Sequence, residues 1–140
     1  MYGGVNGHER YLETAVETAS PARLIVMLYD GAIRFINEAA YAIRQRDYET
    51  KNHKLQRAQR ILTELTCSLD FDKGGEIAQN LFRLYTYMHN QLVEANLEDS
   101  CERLEHVVSL LSELREAWDA IATQAEAQVE VPTARVSLHG

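Results

Sequence analysis

The chain has 140 residues, a formal net charge of −7, and 46% hydrophobic and 25% charged residues. This length and composition are typical of one soluble globular domain, and no window approaches the ~18 apolar residues of a membrane span. The negative charge argues against nucleic acid as the main partner. Cys67 and Cys101 lack metal-ligand spacing, so we expect reduced thiols in a cytoplasmic protein.

Residues 1–20 are expected to form an N-terminal arm. Their start has neither a basic region nor an apolar run, so it does not resemble a secretory signal. Leu12 and Val16 are spaced like neighbours on one helical face, as are Tyr11 and Ala15. The segment is too short to be a stable helix alone. We therefore predict a short mobile arm that can lie against the rest of the protein or detach from it.

The first long helix is predicted from Pro21 to about Gln45. Ser20 offers a side-chain acceptor to the first amide groups, and Pro21 suits the first helical position. At ~100° per residue, one apolar stripe is centred on Leu28, and a second arc lies at roughly 80–160° from it. The stripe comprises Leu24, Leu28, Ala32, Phe35, Ala39 and Ala42, and the second arc comprises Val26, Tyr29, Ile33, Ile36 and Ala40. Since a small bundle needs only one stripe, either a second helix covers the arc or another chain docks there.

The second helix is predicted from the turn at Arg46–Asp47 to about Ser68, with Asp47 as its cap. Its apolar stripe is centred on Leu62, and Ile61 lies near −100° from that stripe. The opposite face is weakly basic, and we expect it to be solvated. That outer face carries Lys51, Lys54, Arg57, Arg60 and Glu64.

A break is predicted at 70–75, because Gly74 and Gly75 end a polar stretch. The third helix then spans about Glu76 to Ala95. Its predicted inner seam is Ile77, Leu81, Leu84, Tyr85, Met88, Leu92 and Ala95. Phe82 and Val93 lie at about 100–120° from this seam, so they are apolar residues that the predicted seam does not include.

The fourth helix is predicted from about Ser100 to Gln128, where Asp99 and Glu102 have the form of a capping box. The residues expected to face inward are Leu104, Val107, Val108, Leu111, Leu114, Trp118 and Ala125. Residues 129–140 are expected to be a tail. The fold class is therefore all-α, a single antiparallel four-helix bundle over residues 21–128.

Residues for catalysis or metal binding are not arranged in a recognisable pattern. Di-iron bundles use Glu-x-x-His pairs, but the residues three before His53, His89 and His106 are threonine, threonine and arginine. The sequence also lacks a glycine-rich phosphate loop. We predict no enzyme activity, no metal and no cofactor, and the apolar excess favours binding of another helix. The alternatives left open are a bundle enzyme with an inward metal site and a purely structural or adaptor bundle.

Six strings, in register over roughly residues 11–120, carry a resemblance to a known family. They are Tyr11 with Val16, Thr18-Ala19-Ser20-Pro21, Leu28-Tyr29-Asp30-Gly31-Ala32, Leu69-Asp70 with Gly74-Gly75-Glu76-Ile77-Ala78, Leu84-Tyr85-Tyr87-Met88, and Leu114-Arg115-Glu116-Ala117-Trp118. In these strings the chain resembles the flagellar secretion chaperone family FliS.

The resemblance implies a cytoplasmic four-helix bundle that binds the disordered C-terminal segment of flagellin. It implies that the protein prevents premature polymerisation and delivers flagellin to the flagellar type III export apparatus. In such a protein the arm can cover apolar surface until the client arrives, and here Tyr11, Leu12 and Val16 would do so. Components of the export apparatus or a flagellar regulator are expected as further partners, and membrane insertion is not expected.

We predict three groups of client contacts on the helices. They are Tyr29, Ile33 and Ile36 on the first helix, Ile61 and Leu65 on the second, and Phe82 and Val93 on the third. This set contains apolar residues that the helical wheels place outside the main inward stripes, together with residues beside them.

Overall fold

The computed structural model of the chain describes the backbone of residues 19–139 and the side chains of residues 19–128. The helices of this part are α1 (Pro21–Arg44), α2 (Tyr48–Cys67), α3 (Phe71–Glu98) and α4 (Cys101–His139). Between residues 19 and 139 there is no strand, and the all-α four-helix bundle is confirmed. The predicted arm contacts Tyr11, Leu12 and Val16 lie outside the described residues.

The chain divides into two compact units. The larger unit, Met27–Glu116, contains most of α1, all of α2 and α3, and the start of α4. The smaller unit contains, of the described residues, 19–26 and those from Ala117 onward. None of the helices described is both long enough and apolar enough to cross a membrane.

Two of the predicted helix caps are confirmed, and one is wrong. The Ser20 hydroxyl accepts the N–H of Arg23 at 3.1 Å, and the Asp47 carboxylate accepts the N–H of Thr50 at 3.2 Å. The hydrogen bonds from Thr50 hold the pKa of Asp47 below its ordinary value, because they stabilise the carboxylate.

The predicted capping box at Asp99 does not form. Asp99 ends α3 in the left-handed conformation, with φ 53°, and its carboxylate accepts a hydrogen bond from Lys51. Ser100 caps α4 instead, since its hydroxyl accepts the N–H of Arg103 at 3.2 Å. One polar residue thus ends a helix, and the next one begins another.

The predicted break before the third helix is confirmed at Gly75. This residue has φ 52° and ψ −123°, a conformation outside the helical region, and it separates the first turn of α3 from the continuous helix that follows. The first turn is capped by Asp70, whose carboxylate accepts the N–H groups of Asp72 and Lys73. A side chain at position 75 would be strained, because L-residues rarely adopt such a positive φ.

The helical backbone of α4 continues to His139, whereas the sequence predicted a tail after Gln128. Neither glycine nor proline occurs between Ala120 and Val131, so no residue there ends the helix. Pro132 removes a single N–H donor, and the helical backbone extends past it.

The core of the larger unit receives side chains from all four helices. Its largest fully buried members are Tyr29, Ile36, Leu55, Leu62, Leu65, Met88, Leu92, Leu104, Val107 and Leu111. The inner face of α1 differs from the prediction, because Leu28 and Phe35 of the expected stripe are only half-buried. Tyr29 and Ile36, from the second arc, are fully buried. A neighbouring helix therefore covers part of that arc.

The helical wheel predicts a solvated Lys51, but this residue is only 7% exposed. Its ammonium group donates to the backbone oxygen of Asn96 at 3.0 Å and to the carboxylate of Asp99. Because both acceptors lie at the end of α3, this one side chain links the start of α2 to the end of α3.

In the smaller unit Arg23 joins two carboxylates. Its guanidinium bonds to Asp119 at 2.7 Å and to Glu126 at 3.0 and 3.1 Å. These hydrogen bonds raise the pKa of Arg23, and the bond from Arg23 lowers the pKa of Glu126. Val26 and Ala122 are buried in this unit.

Candidate partner-binding surface

A row of apolar side chains is exposed on α3, and we name it the α3 stripe. It consists of Phe71, Phe82, Val93 and Leu97, which are 48%, 44%, 38% and 80% exposed. Phe71 and Phe82 meet edge to face, with ring centroids 6.0 Å apart. Phe82 and Val93 are eleven residues apart, which on a helix places them within ~20° of one line and ~16 Å along it.

A second partly apolar surface lies between α1 and α2. Ile61 is half-buried, and its Cδ1 atom lies against Gly31, where an added Cβ would be 3.2 Å away. Ile61 and Phe35 line a cleft of about 270 Å³. Ile33 is half-buried at the edge of a larger groove of about 720 Å³, which Arg34 and Lys54 also line.

The predicted contact residues occupy three different environments. Tyr29, Ile36 and Leu65 are fully buried in the core, so they could touch a partner only after the helices separate. The hydroxyl groups of Tyr29 and Tyr85 are 2.5 Å apart in that core. Ile33 and Ile61 are half-buried on the α1–α2 side, and Phe82 and Val93 are exposed on α3.

The sequence reasoning missed Phe71, Leu97 and Phe35 as surface apolar groups, and its placement of Ile77 in the inner seam is wrong, because Ile77 is 70% exposed. Leu97 follows Val93 by four residues, a spacing that extends the same face and could have indicated it. Phe71 was placed in the break before the helix, so no wheel included it. Phe35 was assigned to the core stripe, and its half-exposure depends on how α1 is rotated against its neighbours.

The surface offers little that could perform chemistry. Among the side chains described, no three His, Cys, Asp or Glu residues are placed to hold a metal ion. His106 instead accepts or donates a hydrogen bond with the Tyr87 hydroxyl, at 3.0 Å from Nε2. What the described residues present is therefore a set of apolar and charged contact surfaces.

Comparison with known proteins agrees with the resemblance found in the sequence. Residues 4–125 match the family model described as "Flagellar protein FliS". The flagellar secretion chaperone FliS of Salmonella typhimurium is 42% identical over 118 residues, which cover 84% of this chain and 87% of that protein. Its counterpart in Campylobacter jejuni is 39% identical, covering 79% of this chain and 87% of that protein, and the one in Bacillus subtilis is 36% identical, covering 81% and 84%. This chain belongs to the FliS family of flagellar proteins.

Proposed function

We propose that this protein is a cytoplasmic flagellar secretion chaperone that binds the disordered C-terminal segment of flagellin. In this role it prevents premature polymerisation of flagellin and delivers the subunit to the flagellar type III export apparatus. The relatives at 36–42% identity are named flagellar secretion chaperones, which supports the general role. The role is one of binding, without catalysis.

The α3 stripe is the observation that carries the binding function. Single exposed apolar residues are ordinary on protein surfaces, whereas several of them aligned on one side of a helix are typical of an interaction site. Two of its members, Phe82 and Val93, belong to one line along the helix and are exposed. A partner helix with apolar residues at three- and four-residue spacing can cover such a row.

A disordered client suits this surface for a thermodynamic reason. A segment that folds as it binds can cover a long row of contacts, while the entropy lost on ordering offsets part of the contact free energy. The resulting complex is extensive but of moderate affinity, so the client can be released at the export apparatus.

We assign the client contacts in two groups. Phe82 and Val93, with Phe71 and Leu97 beside them, form the first, and Ile33 and Ile61 form the second. Tyr29, Ile36 and Leu65 are proposed to support these surfaces from the core. The arm residues Tyr11, Leu12 and Val16 are proposed to cover apolar surface in the free protein.

The test is calorimetry with a synthetic peptide of the flagellin C-terminus from the same organism, followed in parallel by circular dichroism. Phe82→Ala is expected to weaken binding by about 2 kcal/mol, as truncation of a central anchor does. Tyr87→Ala is the matched control, because Tyr87 lies on the same helix and is 44% exposed, as is Phe82. We expect the control to bind as the parent does, and the peptide to gain helicity on binding.

Equal affinity of the parent and Phe82→Ala would remove the α3 stripe from the binding site. A parent protein that does not bind the peptide would overturn the flagellin assignment. In that case a pull-down from motile cells that enriches another export substrate or a regulator would favour the adaptor function.

A further inference from the structure

A cluster of cations surrounds one aromatic ring on the α1–α2 side of the larger unit. The ring of Phe35 has the guanidinium carbon of Arg34 at 4.9 Å, that of Arg57 at 5.4 Å, and the ammonium of Lys54 at 5.7 Å from its centroid. Arg60 lines the cleft beneath this ring. We name Phe35, Ile61, Arg34, Arg57 and Arg60 the arginine patch.

None of the three arginines of the patch forms an ion pair with a described carboxylate. Lys54 pairs with Glu38 at 3.1 Å. By contrast, no described carboxylate lies within ion-pair distance of Arg34, Arg57 or Arg60. Like charges gathered around one ring repel each other, and the ring attracts them only modestly. In a chain of net charge −7, such a local excess of positive charge favours an acidic partner.

The patch also has an apolar floor. Phe35 and Ile61 line the cleft of about 270 Å³, with Arg57 and Arg60 at its rim. Ile61 can lie deep in it because Gly31 has no side chain at that point. An aliphatic side chain of a partner can occupy this floor while a neighbouring carboxylate of the same partner reaches an arginine. The planar guanidinium group of arginine forms bidentate hydrogen bonds with carboxylates.

One acidic residue belongs to the same rim. Glu64 lines the cleft together with Arg57 and Arg60, and it is exposed. The patch therefore offers three arginines and one carboxylate, and this excess of positive charge attracts a client carboxylate.

Helix α2 contributes residues to the patch cleft and to a second cleft on its α3 side. Glu64 of the patch cleft is adjacent in sequence to Thr63, which lines a second cleft of about 220 Å³ between α2 and α3. That second cleft is also lined by Thr86, and the Thr86 hydroxyl donates to the backbone oxygen of Phe82 at 2.8 Å. A client that contacts both α3 and the arginine patch therefore has to cross α2, which carries residues of both clefts.

We propose that the arginine patch binds an acidic stretch of the flagellin C-terminal segment, with an aliphatic side chain on the floor formed by Phe35 and Ile61. This inference rests on the proposed function and adds to it a second anchor of defined chemistry. It makes recognition of the client partly electrostatic and gives the client a fixed direction, with its acidic stretch on the α1–α2 side and its apolar row on α3.

The test measures affinity for the same flagellin peptide at low and high salt. The double variant Arg57→Glu/Arg60→Glu is expected to bind on the order of tenfold more weakly at low salt and to lose most of the salt dependence. Arg44→Glu is the control for charge reversal outside the patch, and it changes the net charge by about two units where the double variant changes it by about four. Arg44 is an exposed residue of α1 that pairs with Glu105 on α4, and it lines neither cleft. It is expected to bind like the parent.

A second arm of the experiment changes the peptide. A peptide whose acidic residues are replaced by their amides is expected to bind the parent about tenfold more weakly, and the double variant with no further loss. Melting curves show whether each variant is folded, and Arg57→Gln/Arg60→Gln, which introduces no new charge, replaces any variant that is not.

Three results would overturn the inference. The first is a loss for Arg44→Glu that equals that of the double variant per unit of charge changed, and the second is equal binding of both peptides to the parent. The third is a double variant that binds like the parent while Phe82→Ala does not. That last result removes the patch but leaves the proposed function intact, whereas failure of the parent to bind the peptide overturns both.

Discussion

Replacing Lys51 by methionine is expected to lower the free energy of unfolding by about 2 kcal/mol. The side chain of Lys51 is 9% exposed and that of its partner Asp99 is 41% exposed. The hydrogen bond to the Asn96 oxygen is charge-assisted and lies at the negative end of a helix, and such a bond contributes ~1.5–3 kcal/mol. Asp99 can be rehydrated, so its share is closer to the ~0–1 kcal/mol of a surface pair. Methionine also removes the desolvation cost of burying an ammonium group, which reduces the expected loss in the free energy of unfolding.

Urea unfolding followed by circular dichroism measures this loss, and it corresponds to a melting temperature lower by roughly 6 °C for a domain of this size. Lys54→Met is the matched control, because the Lys54–Glu38 pair is more exposed, and we expect a change within about 0.5 kcal/mol. In a cycle with Asp99→Asn, which tolerates the left-handed conformation, the coupling is expected to be about 1 kcal/mol. A Lys51→Met variant as stable as the control would refute the argument that the buried ammonium joins α2 to α3.

Three further variants test other parts of the fold. Gly75→Ala is expected to destabilise the protein by about 1–3 kcal/mol in urea unfolding, since φ 52° with ψ −123° lies outside the left-handed helical region that Asp99 occupies, and an unchanged midpoint would contradict this. Burial raises the pKa of Tyr85, so the folded state keeps a proton that the unfolded state loses. Stability should therefore fall as the pH rises above about 10, and less steeply in Tyr85→Phe; parallel curves would contradict this. The hydrogen bond from Arg23 lowers the pKa of Glu126, so the ionised carboxylate contributes to the stability of the folded state at neutral pH. This contribution is lost as the pH falls through the lowered pKa of Glu126. Acid unfolding should be less steep in Glu126→Gln, and identical curves would exclude the effect.

The ends of the helices could be predicted because local chemistry determines them. Ser20 and Asp47 cap helices in the structure, and Gly75 interrupts the chain as expected. Each depends on a hydrogen bond or a dihedral angle within a few residues, which the sequence alone specifies. Asp99 is the exception, because its carboxylate is drawn to Lys51, which lies far away in the chain.

The faces of the helices were harder to predict. A helical wheel gives the angle between residues of one helix but not the number or position of its neighbours. The wheel therefore leaves open whether Tyr29 and Ile36 face a neighbouring helix or a client, and they are core, whereas it predicts a core position for Phe35, which is half-buried. Phe82 and Val93 are exposed, as their angles from the seam suggested. Their contact with a client stays a prediction.

The α3 stripe also bears on how the protein behaves at high concentration. Two copies could bury Phe71 and Phe82 against each other, and this would compete with the client for the same side chains. The net charge of −7 opposes such pairing by mutual repulsion. That repulsion reaches ~10 Å in 0.1 M salt but only ~3 Å in 1 M salt. A concentrated preparation without client should thus stay monodisperse in dilute buffer and self-associate reversibly as salt is added. The net negative charge of the chain therefore keeps the client-free protein from associating with itself.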